Sequence, residues 1–142
     1  PGDLLAVTGR LGGSLLGRHL KPVPRIREAL ALQRRLDLHA MMDLSDGLGL
    51  DLSRLLDESA CGAVVVASWI PVHPDAGSLA KALSDGEDYE LLFAFPRAQA
   101  RRLKGLGFPV TIIGQVTART RRILWPDGKL AELPRGGWEH RL

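Results

Sequence analysis

A chain of 142 residues with 45% hydrophobic and 25% charged side chains is long enough to bury roughly two-thirds of its unfolded surface, and its composition excludes collagen, coiled coil and bulk disorder. The single cysteine, Cys61, excludes a disulfide scaffold and a cysteine-based zinc site. Lys and Arg exceed Asp and Glu by three, with the excess gathered in residues 97–104 and 119–122. Neither run is interleaved with Trp69, Trp125 or Trp138, so both read as solvated basic faces rather than as a nucleic-acid groove. No apolar run approaches the roughly 18 to 20 residues that span a bilayer, which makes a soluble protein the expectation. The opening Pro1-Gly2-Asp3 has no initiator Met and no leader pattern, as in a single domain, residues 1–142, cut from something longer.

In chain order, Leu4 to Thr8 is a short apolar strand, and Gly9 to Ser14 a glycine-rich turn leading into a short helix from Leu15 to Leu20 that Pro22 and Pro24 terminate. Ile26, Leu30, Leu32 and Leu36 fall near helical spacing among arginines, predicting an amphipathic helix over 25–36. Ala40 to Leu44 is a short strand interrupted by Asp43. Ser45 is a candidate cap for a helix that buries Leu48, Leu52, Leu55 and Leu56 and turns Asp51, Arg54 and Asp57 outward. Ala63 to Ala67, apolar on both faces, predicts an inner strand covered from both sides. Gly77 to Leu83 is a short helix, Tyr89 to Phe95 a strand, Arg97 to Leu106 a helix and Val110 to Val116 a strand. Ile123 to Trp125 followed by Pro126-Asp127-Gly128 reads as a hairpin, and Leu133 to Leu142 as loop. Strands alternating with helices define an α/β or α+β layered domain with a mixed sheet.

Three constellations carry possible chemistry. Asp43-Leu44-Ser45-Asp46-Gly47 places two carboxylates and a hydroxyl at a strand end and the following helix start. Such a turn holds Mg²⁺ through carboxylates and phosphate through Ser45 and backbone N–H groups, or else does no more than cap the helix. Asp85-Gly86-Glu87-Asp88-Tyr89-Glu90 puts acids where a turn enters an apolar strand. In period two, Glu87 and Tyr89 share one face and Asp88 and Glu90 the other, and acids in such a place are commonly solvated. Gly9-Arg10-Leu11-Gly12-Gly13-Ser14 lacks both the P-loop ending and the dinucleotide spacing, so close packing of a turn is its better reading. His19, His39, His73 and His140 have no zincin partner. Neither an EF-hand nor a Gly-x-Ser-x-Gly elbow is present.

Asp43-Leu44-Ser45-Asp46-Gly47-Leu48, taken with Gly86-Glu87-Asp88-Tyr89-Glu90-Leu91-Leu92-Phe93, closely resembles the paired signatures of the thiamine-monophosphate kinase family, in its C-terminal half. Pro1-Gly2-Asp3, Val7-Thr8-Gly9, Leu11-Gly12-Gly13-Ser14, Ile113-Gly114 and Gly136-Gly137-Trp138-Glu139-His140 extend the resemblance over essentially the whole chain. The resemblance implies an aminoimidazole ribonucleotide synthetase C-terminal-domain-like fold. It also implies a cytoplasmic enzyme that moves the γ-phosphoryl group of ATP to thiamine monophosphate with Mg²⁺. In that superfamily an N-terminal domain, absent from this chain, supplies much of the nucleotide and metal site and dimerises, so the fragment alone is expected to be inactive. Carried over residue by residue, Asp43 and Asp46 match Mg²⁺ ligands and Ser45 an ATP-phosphate contact, while Glu87 and Trp138 match contacts to the thiamine moiety. No residue matches a covalent catalyst, in keeping with phosphoryl transfer by positioning and charge neutralisation. Asp85 stands where the family has a second glycine, and His140-Arg141-Leu142 lacks the aromatic that usually follows the histidine. A non-catalytic phosphate-binding module of the same superfamily is the alternative expectation.

Overall fold

The computed structural model describes residues 1–136. Its centre is one seven-stranded sheet built from β1 (Leu4–Thr8), β2 (Ala40–Asp43), β3 (Gly62–Val66), β4 (Leu91–Phe95), β5 (Val110–Thr117), β6 (Arg121–Leu124) and β7 (Leu130–Glu132). The spatial order is β2-β4-β1-β5-β3-β6-β7. Every pairing is antiparallel except that of β3 with β6, which is parallel. Three helices, α1 (Ile26–Arg35), α2 (Leu48–Glu58) and α3 (Leu79–Ser84), complete a mixed, layered α/β domain.

Side chains alternate across a strand, so β1 and β4 each feed two cores. Leu5 and Val7, with Leu92 and Ala94, join Leu48, Leu52 and Leu56 of α2 and Ala82 and Leu83 of α3. Ala6, with Leu91, Phe93 and Phe95, meets Leu32 of α1 and Leu36, just past its end, on the opposite face. β4 is buried along its whole length, which explains why its sequence is continuously apolar rather than alternating.

Several boundaries differ from the sequence reading for local reasons. Residues 15–20 form two 3-10 turns, Ser14–Leu16 and Arg18–Leu20, separated by Gly17. The stretch after β4 is a 3-10 helix, Arg97–Leu103. β3 is an inner strand, but only one of its faces is closed: Ala63 and Val65 are buried, and Val64 and Val66 are half-buried. α1 spends its apolar residues on two sides, since Leu32 is buried, as is Leu36 just past its end, while Ile26 and Leu30 are exposed.

Candidate functional site

The turn between β2 and α2 is organised by a residue that the pattern reading turned outward. Asp51, one turn into α2, is fully buried, and its Oδ2 accepts the backbone N–H groups of Ser45 and Asp46, each at 2.9 Å. Burial pushes the Asp51 carboxyl above the usual carboxylate range, against those two hydrogen bonds. Ser45 is therefore not the cap of α2. The helix begins at Leu48 with Gly47 at the cap position and no side-chain cap, and the turn before it is held from inside the helix. Asp46 lies in that turn rather than in the first helical turn, paired with the half-exposed Arg54. Asp43 ends β2 on an exposed face.

The second constellation lies directly against the first. Glu87 N–H donates to Ser45 C=O at 2.6 Å, Tyr89 N–H to Leu44 C=O at 2.8 Å, and Leu44 N–H to Glu90 C=O at 2.8 Å. A Cβ on Gly86 would stand 2.7 Å from the Ser45 carbonyl oxygen, and Gly86 sits at φ +69°. Only glycine lets the two backbones approach this closely. Residues 85–90 are not the start of a strand: Glu87 and Tyr89 adopt φ of +53° and +52°, a left-handed conformation that costs an L-residue roughly 1–2 kcal/mol, and β4 begins only at Leu91. The strand read from Tyr89 thus starts two residues later; the alternation survives in burial, with Asp88 and Glu90 buried and Glu87 and Tyr89 half-buried, and the expectation of solvated acids fails for Asp88 and Glu90.

Asp88 and Glu90 are buried, and the glycine-rich turn after β1 supplies their partners. Gly12 N–H donates to both Asp88 carboxylate oxygens, at 3.0 and 2.8 Å, and Gly13 N–H donates to Asp85 at 2.9 Å. The Ser14 hydroxyl donates to Glu87 C=O at 2.6 Å. Glu90 takes a two-pronged ion pair from Arg25, at 3.0 and 2.6 Å, and a hydrogen bond from the Thr8 hydroxyl at 2.6 Å. The packing role expected for Gly9 to Ser14 is what the geometry gives it, with Asp85 in the position of the missing glycine acting as an acceptor.

These contacts form one wall of an open cavity of about 500 Å³ that Glu87 lines together with Ser14, Arg18, Lys21, Arg25 and Tyr89. Asp43, Ser45 and Asp46 occupy the adjoining turn. Among the described residues no group of three or more His, Cys, Asp or Glu side chains is placed to enclose a cation. The turn offers two carboxylates, a donor set that suits Mg²⁺, which keeps several waters and is bound through one or two carboxylates plus substrate phosphates. Trp138 lies outside the described residues. The tail leading to it passes α2, with Pro134 and Gly136 carbonyls 2.8 and 2.7 Å from where a Gly49 Cβ would stand.

A layered mixed sheet carrying an Asp-x-Ser-Asp-Gly turn packed on a Gly-Glu-Asp-Tyr-Glu segment defines a class, and residues 1–125 match the family described as AIR synthase related protein, C-terminal domain. The chain belongs to that family. Within it, the thiamine-monophosphate kinase of Rhodopirellula baltica is 43% identical over 130 residues, covering 84% of this chain and 41% of that protein. The thiamine-monophosphate kinase of Methanospirillum hungatei is 39% identical over 152 aligned positions, covering 99% of this chain and 50% of that protein. The solved structure of AaThiL complexed with AMPPCP and TMP superposes with a TM-score of 0.77 at 28% identity, over 99% of this chain and 52% of that one. The chain spans about half the length of the curated relatives it matches.

Proposed function

We propose that this chain is the substrate-facing half of an ATP-dependent thiamine-monophosphate kinase that yields thiamine diphosphate. The observation that carries the reading is the backbone pairing of the 43–47 turn with residues 86–90, which sets the phosphate-type turn beside the Glu87 cavity. A phosphoryl group and its acceptor need that juxtaposition. Similarity to relatives named for this activity supports the same conclusion.

In this reading Asp43 and Asp46 hold Mg²⁺, which neutralises charge on the transferring phosphoryl group when bound. The Ser45 hydroxyl orients an ATP phosphate oxygen, and Asp51 fixes the turn from below by holding two of its N–H groups. Arg54 pairs with Asp46 in this chain and yields it to the cation. Glu87 engages the cationic or aminopyrimidine part of thiamine monophosphate, and Trp138 packs on one of its rings. An N-terminal half completes the metal and nucleotide site, the working form is a homodimer in the cytoplasm, and the 142 residues alone do not turn over.

The test uses the full-length protein that contains this chain. Asp43→Asn and Asp46→Asn are each expected to lower kcat by two or more orders of magnitude with the fold intact. Glu87→Gln and Trp138→Ala are expected to raise KM for thiamine monophosphate about tenfold, equivalent to roughly 1.4 kcal/mol, with KM for ATP within about twofold. Near-normal rates in the Asp variants would return those residues to a purely structural role, and parallel shifts in both KM values would move the substrate site elsewhere.

A further inference from the structure

The run 119–122 reads from sequence as a solvated basic face, but the fold bends it into a concavity. Arg119, Arg121 and Arg122, at the turn from β5 into β6, meet Arg135 from the tail and Ser53 from α2 around an open cavity of about 390 Å³. Glu132 is the one carboxylate on its wall among the described residues. The turn is built rather than loose, because the Thr117 hydroxyl donates to Thr120 C=O at 2.7 Å. Arg121 is fixed as well, donating to Cys61 C=O at 3.2 and 3.0 Å and pairing with Asp57. The hydrogen bond from Arg121 holds the Asp57 carboxyl below its usual range, so that pair stays ionised. Arg119 and Arg135, by contrast, make no side-chain hydrogen bond or ion pair with any described residue.

Along β6, Arg121 shares the α2 face with the buried Ile123, whereas Arg122, opposite Glu132, points to the other face; Arg119, Arg121 and Arg135 are then the cations left to the concavity, and with Asp57 paired to Arg121 they leave a local excess of two positive charges. Like charges gathered on one wall repel one another, and an anion between them relieves that repulsion. A guanidinium fork matches two phosphate oxygens at once, and several forks around one cavity match more than a single phosphate offers. We propose that this cavity binds the diphosphate group of a small anion, either free pyrophosphate or the diphosphate end of a nucleotide. None of its wall residues belongs to the 43–47 turn or to residues 85–90, so the site stands apart from the kinase reading and does not depend on it.

The test is isothermal titration of the 142-residue chain at physiological ionic strength without divalent cations, using inorganic pyrophosphate, ADP, or sulfate at matched ionic strength. Pyrophosphate is expected to bind with a sub-millimolar Kd that weakens at least tenfold in the Arg119→Ala/Arg135→Ala variant and stays within twofold in Lys21→Ala, which alters the Glu87 cavity instead. ADP binding that is lost in the same double variant assigns the site to nucleotide diphosphates; pyrophosphate binding without ADP binding assigns it to the free anion. Should the double variant fail to fold by far-ultraviolet circular dichroism, Arg119→Lys/Arg135→Lys replaces it, keeping charge but losing the forks, with an expected loss of at least threefold. Absence of binding by both diphosphates, affinity unchanged in the arginine variants, or sulfate binding as tightly as pyrophosphate would each overturn the proposal.

Discussion

Asp88 is enclosed by protein, with its side chain 1% exposed, and its partners are one backbone amide and the Arg18 guanidinium at 3.4 Å. Burial outweighs both and pushes its carboxyl from the ordinary 3.8 up to about 6. Because the folded-state value lies above the unfolded one, this group's contribution to stability is complete below pH 3.8 and is lost as pH rises through about 6. At about 1.4 kcal/mol per unit, the loss approaches about 3 kcal/mol. Urea unfolding of Asp88→Asn, which keeps an acceptor for Gly12, is expected to lack that decline between pH 4 and 7; a profile parallel to the parent's would remove Asp88 as its source. Glu90, also buried, is bonded to Arg25 and Thr8. A Cβ on Gly9 would fall 2.1 Å from Glu90 Oε1. Gly9→Ala and Glu90→Gln are each expected to cost about 2–3 kcal/mol, and in combination well under the sum, because both break the same contact. Strict additivity in a double-mutant cycle would show that the two act independently.

At the scale of elements, α1 tests how a helix face is divided. Leu32→Ala is expected to lower stability by about 2–5 kcal/mol, whereas Ile26→Lys, at an exposed position, is expected to stay within about 0.5 kcal/mol. Chemical denaturation of the two variants checks this, and a large loss from Ile26→Lys would place that side chain in a contact. Both positions obey the same helical spacing, so periodicity found α1 without telling which of its apolar residues meet the sheet. β1, β5 and the β6–β7 hairpin were legible because apolar or β-branched runs bounded by Gly and Pro have few other solutions. The pairing of the two signature segments was legible only through resemblance. What pattern reading inverted was the polar interior: Asp51 looked like an outward helix residue, and Asp88 and Glu90 looked like solvated acids. Their partners are backbone amides in the preceding loop or groups about 65 to 80 positions distant, such as Gly12, Thr8 and Arg25. Periodicity registers hydrophobicity and carries no trace of such bonds.

For the whole molecule, the two cores lie on opposite faces of one sheet and share β1 and β4. Neither can lose its packing while the other keeps both strands in place, so the chain is expected to unfold as a single cooperative unit. Midpoints from far-ultraviolet circular dichroism and tryptophan fluorescence should coincide in urea; two separated transitions would show the faces to be independent. β1 comes first in the chain yet occupies the middle of the sheet, between β4 and β5, whose residues all lie beyond position 90. During synthesis at roughly 5–20 residues per second, Leu5, Ala6 and Val7 wait on the order of 5–20 s before either neighbour has emerged. The nascent chain therefore passes through a period with an apolar strand and no mate, the condition in which chaperone capture or misassembly competes with folding. Joining the present termini and reopening the chain near the exposed Gly77 would make β4 and β5 precede β1, shortening that interval without changing one contact of the finished sheet.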